Sequence, residues 1–536
     1  MFLRKIKAVC LLCLFFLPFS SSYCMTLEEK IGQLLMVHFL GDEVNDEAKA
    51  LIEKVRIGGV IYYNWANTLS SPHQVLLLSK GLQKLAKESH LPPLLIAVDQ
   101  EGGGVAHLTK GFTVFPGNAA LGMTKAVPFA EDSAAVLGKE LKAVGINMNL
   151  APVVDINSNP RNPIIGVRSF GKNPIQVCTF AKAALKGYQR AQILTSLKHF
   201  PGHGDVEKDS HEDLPVLYKT LEELQKGELY PFSQLADYAD SVMIAHLKVP
   251  SIDPDKPATC SKKILDILRE EIGFQGVVIS DSLAMEGFLK SCSSIEEGAL
   301  SALQAGCDIL LLGGRQIQGG NLAYEISLAD VERIHKFLVE AVKSGLLSED
   351  HIDRSVERVL TMKSIYKLGA EETNLICTSE SQGLARKIAL TSLQIVQNNP
   401  IFYSSKKGIF FPGMIRDLLP KKEGESSFCF FTTNPTEEEK KVIEKVAEES
   451  DLLIFCSYNA WKYSSQLKII RFLTEMGKPF VLITLRDPFD SELVTGADVV
   501  INTFSPTEPS IRAAFEQLDL ILSLKRESIP VTIGYP

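Results

Sequence analysis

Short apolar runs alternate with amphipathic stretches along the first 370 residues of the chain. Eight of these runs have the continuous aliphatic character of strands buried on both faces: 34–39, 59–63, 94–99, 148–155, 194–199, 242–246, 277–281 and 309–312. Between several of them apolar residues recur at helical spacing, as in 131–144, 174–190, 262–272 and 295–305. Eight strands joined by helices predict an α/β fold of the closed (β/α)8 TIM-like barrel type, which we assign to residues 25–370.

A second pattern follows a short linker at 370–374. The segment 381–396 starts this unit, and apolar runs recur at 409–411, 428–431, 453–456, 480–485 and 499–502, with helical patterns at 436–448 and 465–476 among them. This alternation predicts a smaller α/β sandwich over residues 371–536. It carries no phosphate-binding loop, catalytic triad or metal-ligand spacing, and its sequence indicates no role.

The N-terminus has the pattern of a secretory signal peptide. Arg4, Lys5 and Lys7 precede an apolar segment at 8–19 and three serines at 20–22. The segment is too short for a comfortable membrane span, so we assign residues 1–24 to a cleaved signal. We expect an exported protein, periplasmic or extracellular, without stable membrane insertion after cleavage. Cys24 leaves a second interpretation open, a lipid-modified cysteine that would keep the protein at the membrane.

Composition and charge narrow the classes of partner. The chain has 536 residues, of which 45% are hydrophobic, and a formal net charge of −8. No Lys/Arg cluster forms a basic stripe, so nucleic acid is not an expected partner. The seven cysteines after Cys24 are scattered and do not indicate a disulfide framework, although an isolated bridge is compatible with them.

Polar side chains stand at the C-terminal ends of the predicted barrel strands. They are Asp99, Asp155, Lys198, His199, His246 and Asp281. In a parallel barrel these strand ends meet at one face, where active sites are built. The sequence therefore predicts a functional site at that face.

The segment after Lys198-His199 is predicted to be a loop, because Pro201, Gly202 and Gly204 disfavour both helix and sheet. Within it Asp209 and His211 are two residues apart. A carboxylate at this spacing can accept the imidazole N–H, which orients the ring and makes its other nitrogen more basic. This pair is a candidate proton shuttle.

Two other interpretations of the loop remain open. His199, His203 and His211, with Asp205 and Asp209, are residue types that bind divalent metals. The helix that would place His199 and His203 on one face is excluded by the proline and glycines, which disfavours a metal site. The loop would otherwise be a polar surface segment without a function.

Five motifs in this order resemble the bacterial β-N-acetylglucosaminidases of glycoside hydrolase family 3. They are Asp99-Gln-Glu-Gly-Gly103, the segment 162–171 (NPIIGVRSFG), Lys198-His-Phe-Pro-Gly-His-Gly204, Asp209-Ser-His211 and Gly276-Val-Val-Ile-Ser-Asp281. The resemblance spans roughly residues 26–370, the whole first domain. The combination of the third and fourth motifs is its most specific part.

The resemblance implies a retaining hydrolysis. Asp281 would be the nucleophile that forms a covalent glycosyl-enzyme, although an Asp at a strand end is often a helix N-cap instead. His211, oriented by Asp209, would protonate the leaving oxygen and later deprotonate water. The sugar would be held by four further residues: Asp99, Arg168, Lys198 and His199. For Arg168 the alternative is an ion pair that closes the barrel mouth.

The chain departs from the family after the first motif, where relatives have Arg-Val-x-Arg. Here the two arginine positions are Gly104 and His107. Because the second arginine contacts substrate in relatives, we expect His107 to bind substrate with a shorter, titratable donor. Ser282 also follows the nucleophile where many relatives have a second Asp.

The expected activity is that of an exported β-N-acetylhexosaminidase that releases terminal β-linked N-acetylglucosamine from peptidoglycan fragments. Its partner would be a GlcNAc-containing muropeptide, and we expect a monomer that needs no metal or organic cofactor. Two alternatives are a family 3 β-glucosidase and a non-catalytic cell-wall sugar-binding protein. The lost arginines motivate the second.

Overall fold

The computed structural model of the protein describes residues 25–210, 213–318, 321–366, 375–401, 404, 406–419 and 426–527. The predicted signal peptide lies outside the described residues. In chain order the strands are β1 Leu35–Val37, β2 Gly59–Tyr62, β3 Leu95–Val98, β4 Gln100–Gly102, β5 Val105–Ala106, β6 Met148–Asn149, β7 Leu194–Phe200, β8 Ser241–Ile244, β9 Val277–Ser280, β10 Leu310–Leu312, β11 Arg315–Gln318, β12 Asn321–Glu325, β13 Gln394–Asn398, β14 Lys407–Pro412, β15 Ser427–Phe431, β16 Leu452–Ser457, β17 Phe480–Thr484 and β18 Val499–Asn502.

The helices cover both sheets. They are α1 Leu27–Gln33, α2 Asp46–Ala50, α3 Asn64–Asn67, α4 Pro72–Glu88, α5 Asn118–Thr124, α6 Pro128–Ala143, α7 Pro174–Ala191, α8 Leu221–Lys226, α9 Leu229–Leu235, α10 Lys262–Asp266, α11 Glu286–Leu289, α12 Ile295–Ala305, α13 Leu328–Lys343, α14 Glu349–Ile365, α15 Ser379–Ser392, α16 Glu437–Glu449, α17 Ser464–Glu475, α18 Phe489–Glu492 and α19 Glu508–Glu527. Among the described residues, no helix is both long and apolar enough to cross a bilayer.

The first sheet is a parallel barrel in the order β10-β1-β2-β3-β6-β7-β8-β9. A parallel bridge between Ile279 and Ile309 joins its two ends and closes it. Every residue of these eight strands is buried, because helices cover the outside and side chains fill the inside. The predicted (β/α)8 barrel is confirmed, and each of the eight predicted runs overlaps one of its strands.

Some predicted elements are shorter than their apolar patterns. The run 148–155 forms a strand only at β6, and beyond it Val153 makes an isolated parallel bridge with Lys198. The helix predicted at 262–272 is α10 followed by a π-helical turn, Ile267–Glu271. The first difference leaves Asp155 six residues beyond the end of β6, whereas the second leaves the strand ends unchanged.

The second sheet has the order β13-β18-β17-β16-β14-β15, with β13 antiparallel and the other pairs parallel. Apolar side chains fill both of its faces in two separate clusters, one under α19 and the other under α16 and α17. The predicted α/β sandwich is confirmed. The antiparallel strand β13, at 394–398, was not among the five runs predicted to be strands.

The second unit contacts the barrel through helix α15 and through loops of its sheet. Helix α15 packs against α5 and α6 of the barrel and against α19, and the hydroxyls of Thr113 and Ser381 lie 2.7 Å apart. Loops at the C-terminal edge of the second sheet also reach the barrel mouth. A Cβ atom at Gly104 would lie 3.9 Å from Pro506 Cγ, and one at Gly166 would lie 3.3 Å from Asp487 Oδ2.

Candidate active site

A cavity of about 480 Å³ opens at the C-terminal ends of the barrel strands. Six of the residues predicted from the sequence line it: Asp99, His107, Arg168, Lys198, His199 and Asp281. Strands β3, β7 and β9 end immediately before or within this set, so the barrel brings together side chains that are up to 182 positions apart in the chain (99 to 281). Of the six polar groups predicted at strand ends, Asp99, Lys198, His199 and Asp281 line the cavity, whereas Asp155 and His246 are buried behind it.

The bottom of this cavity is a buried ion cluster of Asp99, Glu101, Arg168 and Lys198, which we call the charged floor. The Lys198 ammonium donates to Asp99 Oδ1 at 2.6 Å and lies 2.7 Å from Glu101 Oε1. Arg168 donates from Nε and Nη2 to the two oxygens of Glu101, at 3.0 and 2.8 Å. Asp99 is the most exposed member, at 19% of its side chain against 2% for Lys198. It is therefore the carboxylate best placed to accept from a sugar hydroxyl.

Glu101 was not predicted as a site residue, yet it joins the two cations of the charged floor. Burial alone would raise the pKa of this carboxyl, but Arg168 and Lys198 lower it to about 2. Asp99 and Glu101 in turn raise the pKa of Lys198 against the effect of its burial. Arg168 thus forms the ion pair considered from the sequence and also lines the cavity, so the two interpretations are compatible.

His199 is held in one tautomer by neighbours on both sides. Its Nδ1 lies 2.7 Å from Asp155 Oδ2, and Arg168 Nη2 lies 3.3 Å from its Nε2. Because arginine can only donate, Nε2 is the acceptor and the proton is on Nδ1. The backbone N–H of His203 also donates to Asp155, at 2.7 Å. Burial opposes ionisation of Asp155, but His199 and His203 hold its pKa below the usual value.

Asp281 follows β9 directly and faces the cavity. Its Oδ1 accepts the N–H of Ser282 at 2.7 Å, and the next helix, α11, has Met285 at its N-cap position. Asp281 therefore does not cap that helix, and the N-cap alternative is wrong. The Ser282 hydroxyl donates to the carbonyl of Gly313, which ties the turn after Asp281 to the end of β10.

His246 supports this turn from below. It is fully buried, its Nε2 donates to the Ser282 carbonyl at 2.9 Å, and Nδ1 lies 2.7 Å from the Thr259 hydroxyl. Its ring also packs on Phe288, with centroids 4.6 Å apart. His246 is thus placed to position the peptide after Asp281 and does not reach the cavity as a strand-end acid or base.

The loop with the predicted acid/base pair approaches the cavity from the side of β7. His211 lies outside the described residues. Asp209 is half-buried, and its carbonyl accepts the N–H of Asp213 at 2.9 Å. Its neighbour Ser210 lines the cavity and lies 3.1 Å from His203 Nε2. Burial lowers the pKa of His203 to about 4, so His203 is neutral near pH 7.

An aromatic wall, missed in the sequence, forms one side of the cavity mouth. Tyr63 and Trp65 are stacked with centroids 5.0 Å apart, and His107 meets Tyr63 edge-on at 5.3 Å. Burial lowers the pKa of His107, which makes it a neutral ring more than a cation. The signal for this wall was available, since Tyr63 and Trp65 lie at the end of the second apolar run.

The loop histidines and carboxylates do not form a metal cluster in the part of the chain that the structure describes. No group of three or more His, Cys, Asp or Glu side chains there has the geometry to hold a metal ion. His199 and His203 instead make their polar contacts with Asp155, Arg168 and Ser210.

Comparison with known proteins agrees with this geometry. Residues 26–362 match the model of the glycosyl hydrolase family 3 N terminal domain. The chain is 32% identical over 421 residues to Beta-hexosaminidase A of Pseudoalteromonas piscicida, which covers 70% of this chain and 68% of that protein. It is 32% identical over 343 residues to Beta-hexosaminidase LpqI of Mycobacterium tuberculosis, covering 62% and 82% of the two chains.

A solved structure extends the likeness to both domains. The glycoside hydrolase family 3 beta-N-acetylglucosaminidase of Paenibacillus sp. str. FPU-7 superposes with a TM-score of 0.83 at 34% identity, covering 94% of this chain and 97% of that one. With the family model matching more than half of the chain and the barrel carrying its site at the strand ends, this protein belongs to glycosyl hydrolase family 3.

Proposed function

We propose that the protein is an exported, retaining β-N-acetylglucosaminidase that removes terminal β-linked N-acetylglucosamine from peptidoglycan fragments. The observation that carries the proposal is that Asp281 lies in the same cavity as the charged floor. The relatives named beta-hexosaminidases support the sugar. The N-terminal pattern of basic residues, apolar segment and serines supports export.

The charged floor is suited to holding the non-reducing sugar. Its members already neutralise one another, so binding a neutral sugar leaves no buried charge unpaired. Asp99 can accept from a hydroxyl, while Lys198 and Arg168 can donate. His199, with its proton on Nδ1, accepts from Arg168 at Nε2 and so helps to orient that guanidinium.

In the first step a carboxylate oxygen of Asp281 attacks the anomeric carbon and the glycosidic C–O bond breaks. His211 gives its proton to the departing oxygen, and Asp209 stabilises the imidazolium that His211 forms when protonated. In the second step His211 takes a proton from water, whose oxygen attacks the anomeric carbon and releases Asp281. Retention follows from two displacements at the same carbon.

The test of substrate class compares 4-nitrophenyl β-N-acetylglucosaminide with the matching glucoside. We expect kcat/KM to favour the N-acetylglucosaminide strongly, and Asp281→Asn to abolish turnover while circular dichroism stays unchanged. Faster hydrolysis of the glucoside would instead identify a β-glucosidase. Saturable binding without turnover would identify a sugar-binding protein.

The test of the proton shuttle uses His211→Ala. General acid catalysis is commonly worth about 10²–10⁴-fold, so hydrolysis of a natural disaccharide should fall by roughly that factor. Activated nitrophenyl glycosides need little protonation and should lose much less, and azide should restore turnover because it needs no general base. Asp209→Ala should be milder. An equal loss on both substrates without azide rescue would assign His211 to binding.

A further inference from the structure

The β11–β12 hairpin places a cation at the cavity mouth. Strand β11 begins at Arg315, whose guanidinium carbon lies 4.5 Å from the centroid of the Trp65 ring. Arg315 is exposed, lines the cavity, and forms no ion pair with any carboxylate of the described residues. Glu286, the carboxylate that shares this mouth, is paired with Lys290 at 2.7 Å. The positive charge of Arg315 is thus available to a ligand.

Several contacts hold Arg315 in place before any ligand binds. Its neighbour Gln316 donates to the Ala284 carbonyl at 2.6 Å, which attaches β11 to the loop after Asp281. Across the hairpin Arg315 faces Glu325, which lies 3.1 Å from Nε2 of the buried His38. A cation that is already positioned loses less conformational entropy on binding than one on a free surface side chain.

The space beside Trp65 extends the cavity away from the charged floor. A groove of about 320 Å³ shares Trp65 and His107 with the cavity and continues to Lys110. A sugar seated on the charged floor near Asp281 would direct its reducing-side neighbour toward this rim. Aromatic rings such as that of Trp65 are apolar platforms for sugar rings, and arginine forks onto carboxylates.

We propose that Trp65 and Arg315 form an aglycone subsite that selects a sugar carrying a carboxylate close to the cleaved bond. This inference rests on the proposed function and specifies its leaving group. A muramic-acid-type aglycone fits, because its lactyl ether is on the carbon next to the glycosidic oxygen and ends in a carboxylate. A cation at the rim would meet that group, whereas one on the charged floor would meet the other sugar.

The experiment measures kcat and KM for three disaccharides: GlcNAc-β1,4-MurNAc, its lactyl methyl ester, and neutral diacetylchitobiose. We expect the wild-type protein to prefer the acid to its ester by about tenfold in kcat/KM, since a charge-assisted hydrogen bond is worth about one such factor. Arg315→Gln should lose this preference, mainly through a higher KM for the acid. It should change turnover of diacetylchitobiose by less than about twofold, because uniform binding energy affects KM more than kcat.

Lys110→Gln is the matched control, because Lys110 is an exposed cation of the adjoining groove. It should keep the preference for the acid. An equal loss in both variants would indicate general electrostatic attraction and overturn the subsite, as would a wild-type protein that hydrolyses acid and ester equally. If the wild-type protein hydrolyses none of the three disaccharides and no aryl N-acetylglucosaminide, the proposed function itself fails.

Discussion

Replacing Glu101 by glutamine tests whether the charged floor is held together by one buried carboxylate. The side chain is 2% exposed and bridges Arg168 and Lys198. The two cations lower its pKa from 4.5 to about 2. At about 1.4 kcal/mol per pKa unit, the charge of Glu101 contributes about 3 kcal/mol to the free energy of unfolding at pH 7. Breaking a buried ion pair by removing one partner commonly costs a similar amount, about 3–5 kcal/mol.

The pH dependence of this stabilisation follows from the direction of the pKa shift of Glu101. Because the folded pKa lies below the unfolded one, the stabilisation is present above about pH 4.5 and is lost as the pH falls toward 2. At pH 3 about 1 kcal/mol of it should remain. The difference between wild-type protein and Glu101→Gln should therefore shrink by about 2 kcal/mol between pH 7 and pH 3.

Urea unfolding followed by tryptophan fluorescence measures this difference in unfolding free energy. The chain has two tryptophans, Trp65 in the barrel and Trp461 in the second domain. A Trp461→Phe background confines the signal to the barrel. Glu349→Gln is the control, because Glu349 pairs with Lys30 while 56% exposed and should cost under about 1 kcal/mol. A Glu101→Gln loss below about 1 kcal/mol, or one that is unchanged at pH 3, would refute the linkage.

Three further predictions concern other buried titratable groups. Burial lowers the pKa of Lys363 to about 7, so its charge costs stability increasingly as the pH falls from 10.5 toward 7. In urea unfolding at pH 7, Lys363→Met should be more stable than wild type by about 2 kcal/mol or more. The same difference in unfolding free energy at pH 10 would contradict this prediction. Burial raises the pKa of Asp490 to about 6, so stability present below pH 3.8 is lost as the pH rises through 6. In Asp490→Asn the free energy of unfolding should depend less on pH over this range, as measured by Trp461 fluorescence. A hydrogen bond from Cys260 lowers the pKa of Cys292, although Cys292 is partly buried. Iodoacetamide should therefore alkylate Cys292 faster than Cys178 near pH 7, as measured by peptide mass spectrometry. Cys260→Ala should remove this difference in rate.

The barrel could be predicted because its strands have one requirement, burial on both faces. Residues such as Val60, Ile96 and Val278 are at most 1% exposed, and a run of such residues leaves little alternative to a covered parallel strand. The position of the polar residues followed from the same reasoning. A charged side chain such as Lys198 at the end of an aliphatic run can be buried only where carboxylates pair with it, and the mouth of the barrel brings such groups together.

The members of the site that were missed act through partners far away in the chain. Glu101 lies two residues after a predicted site residue, but its importance comes from Arg168 and Lys198, which no local pattern links to it. The β11–β12 hairpin was also missed, although Gly319-Gly320 between its strands is a common hairpin signal. Its strands are too short and polar to have the alternation of a half-buried sheet.

The two family arginines that this chain lacks have different structural counterparts. At Gly104 a Cβ atom would make only an ordinary van der Waals contact with Pro506 of the second domain, at 3.9 Å, so the packing there does not explain the glycine. His107 packs edge-on against Tyr63 and is uncharged by burial, so it adds to the aromatic wall. A cation is still present at the mouth, because Arg315 reaches Trp65 from a strand about 200 residues further along the chain. The substitutions therefore change the rim of the cavity and leave the charged floor paired. The two missing arginines were the reason for considering a protein that binds sugar without hydrolysing it. That reason no longer applies, because the groups that would hold the sugar and the carboxylate that would attack it remain in one cavity.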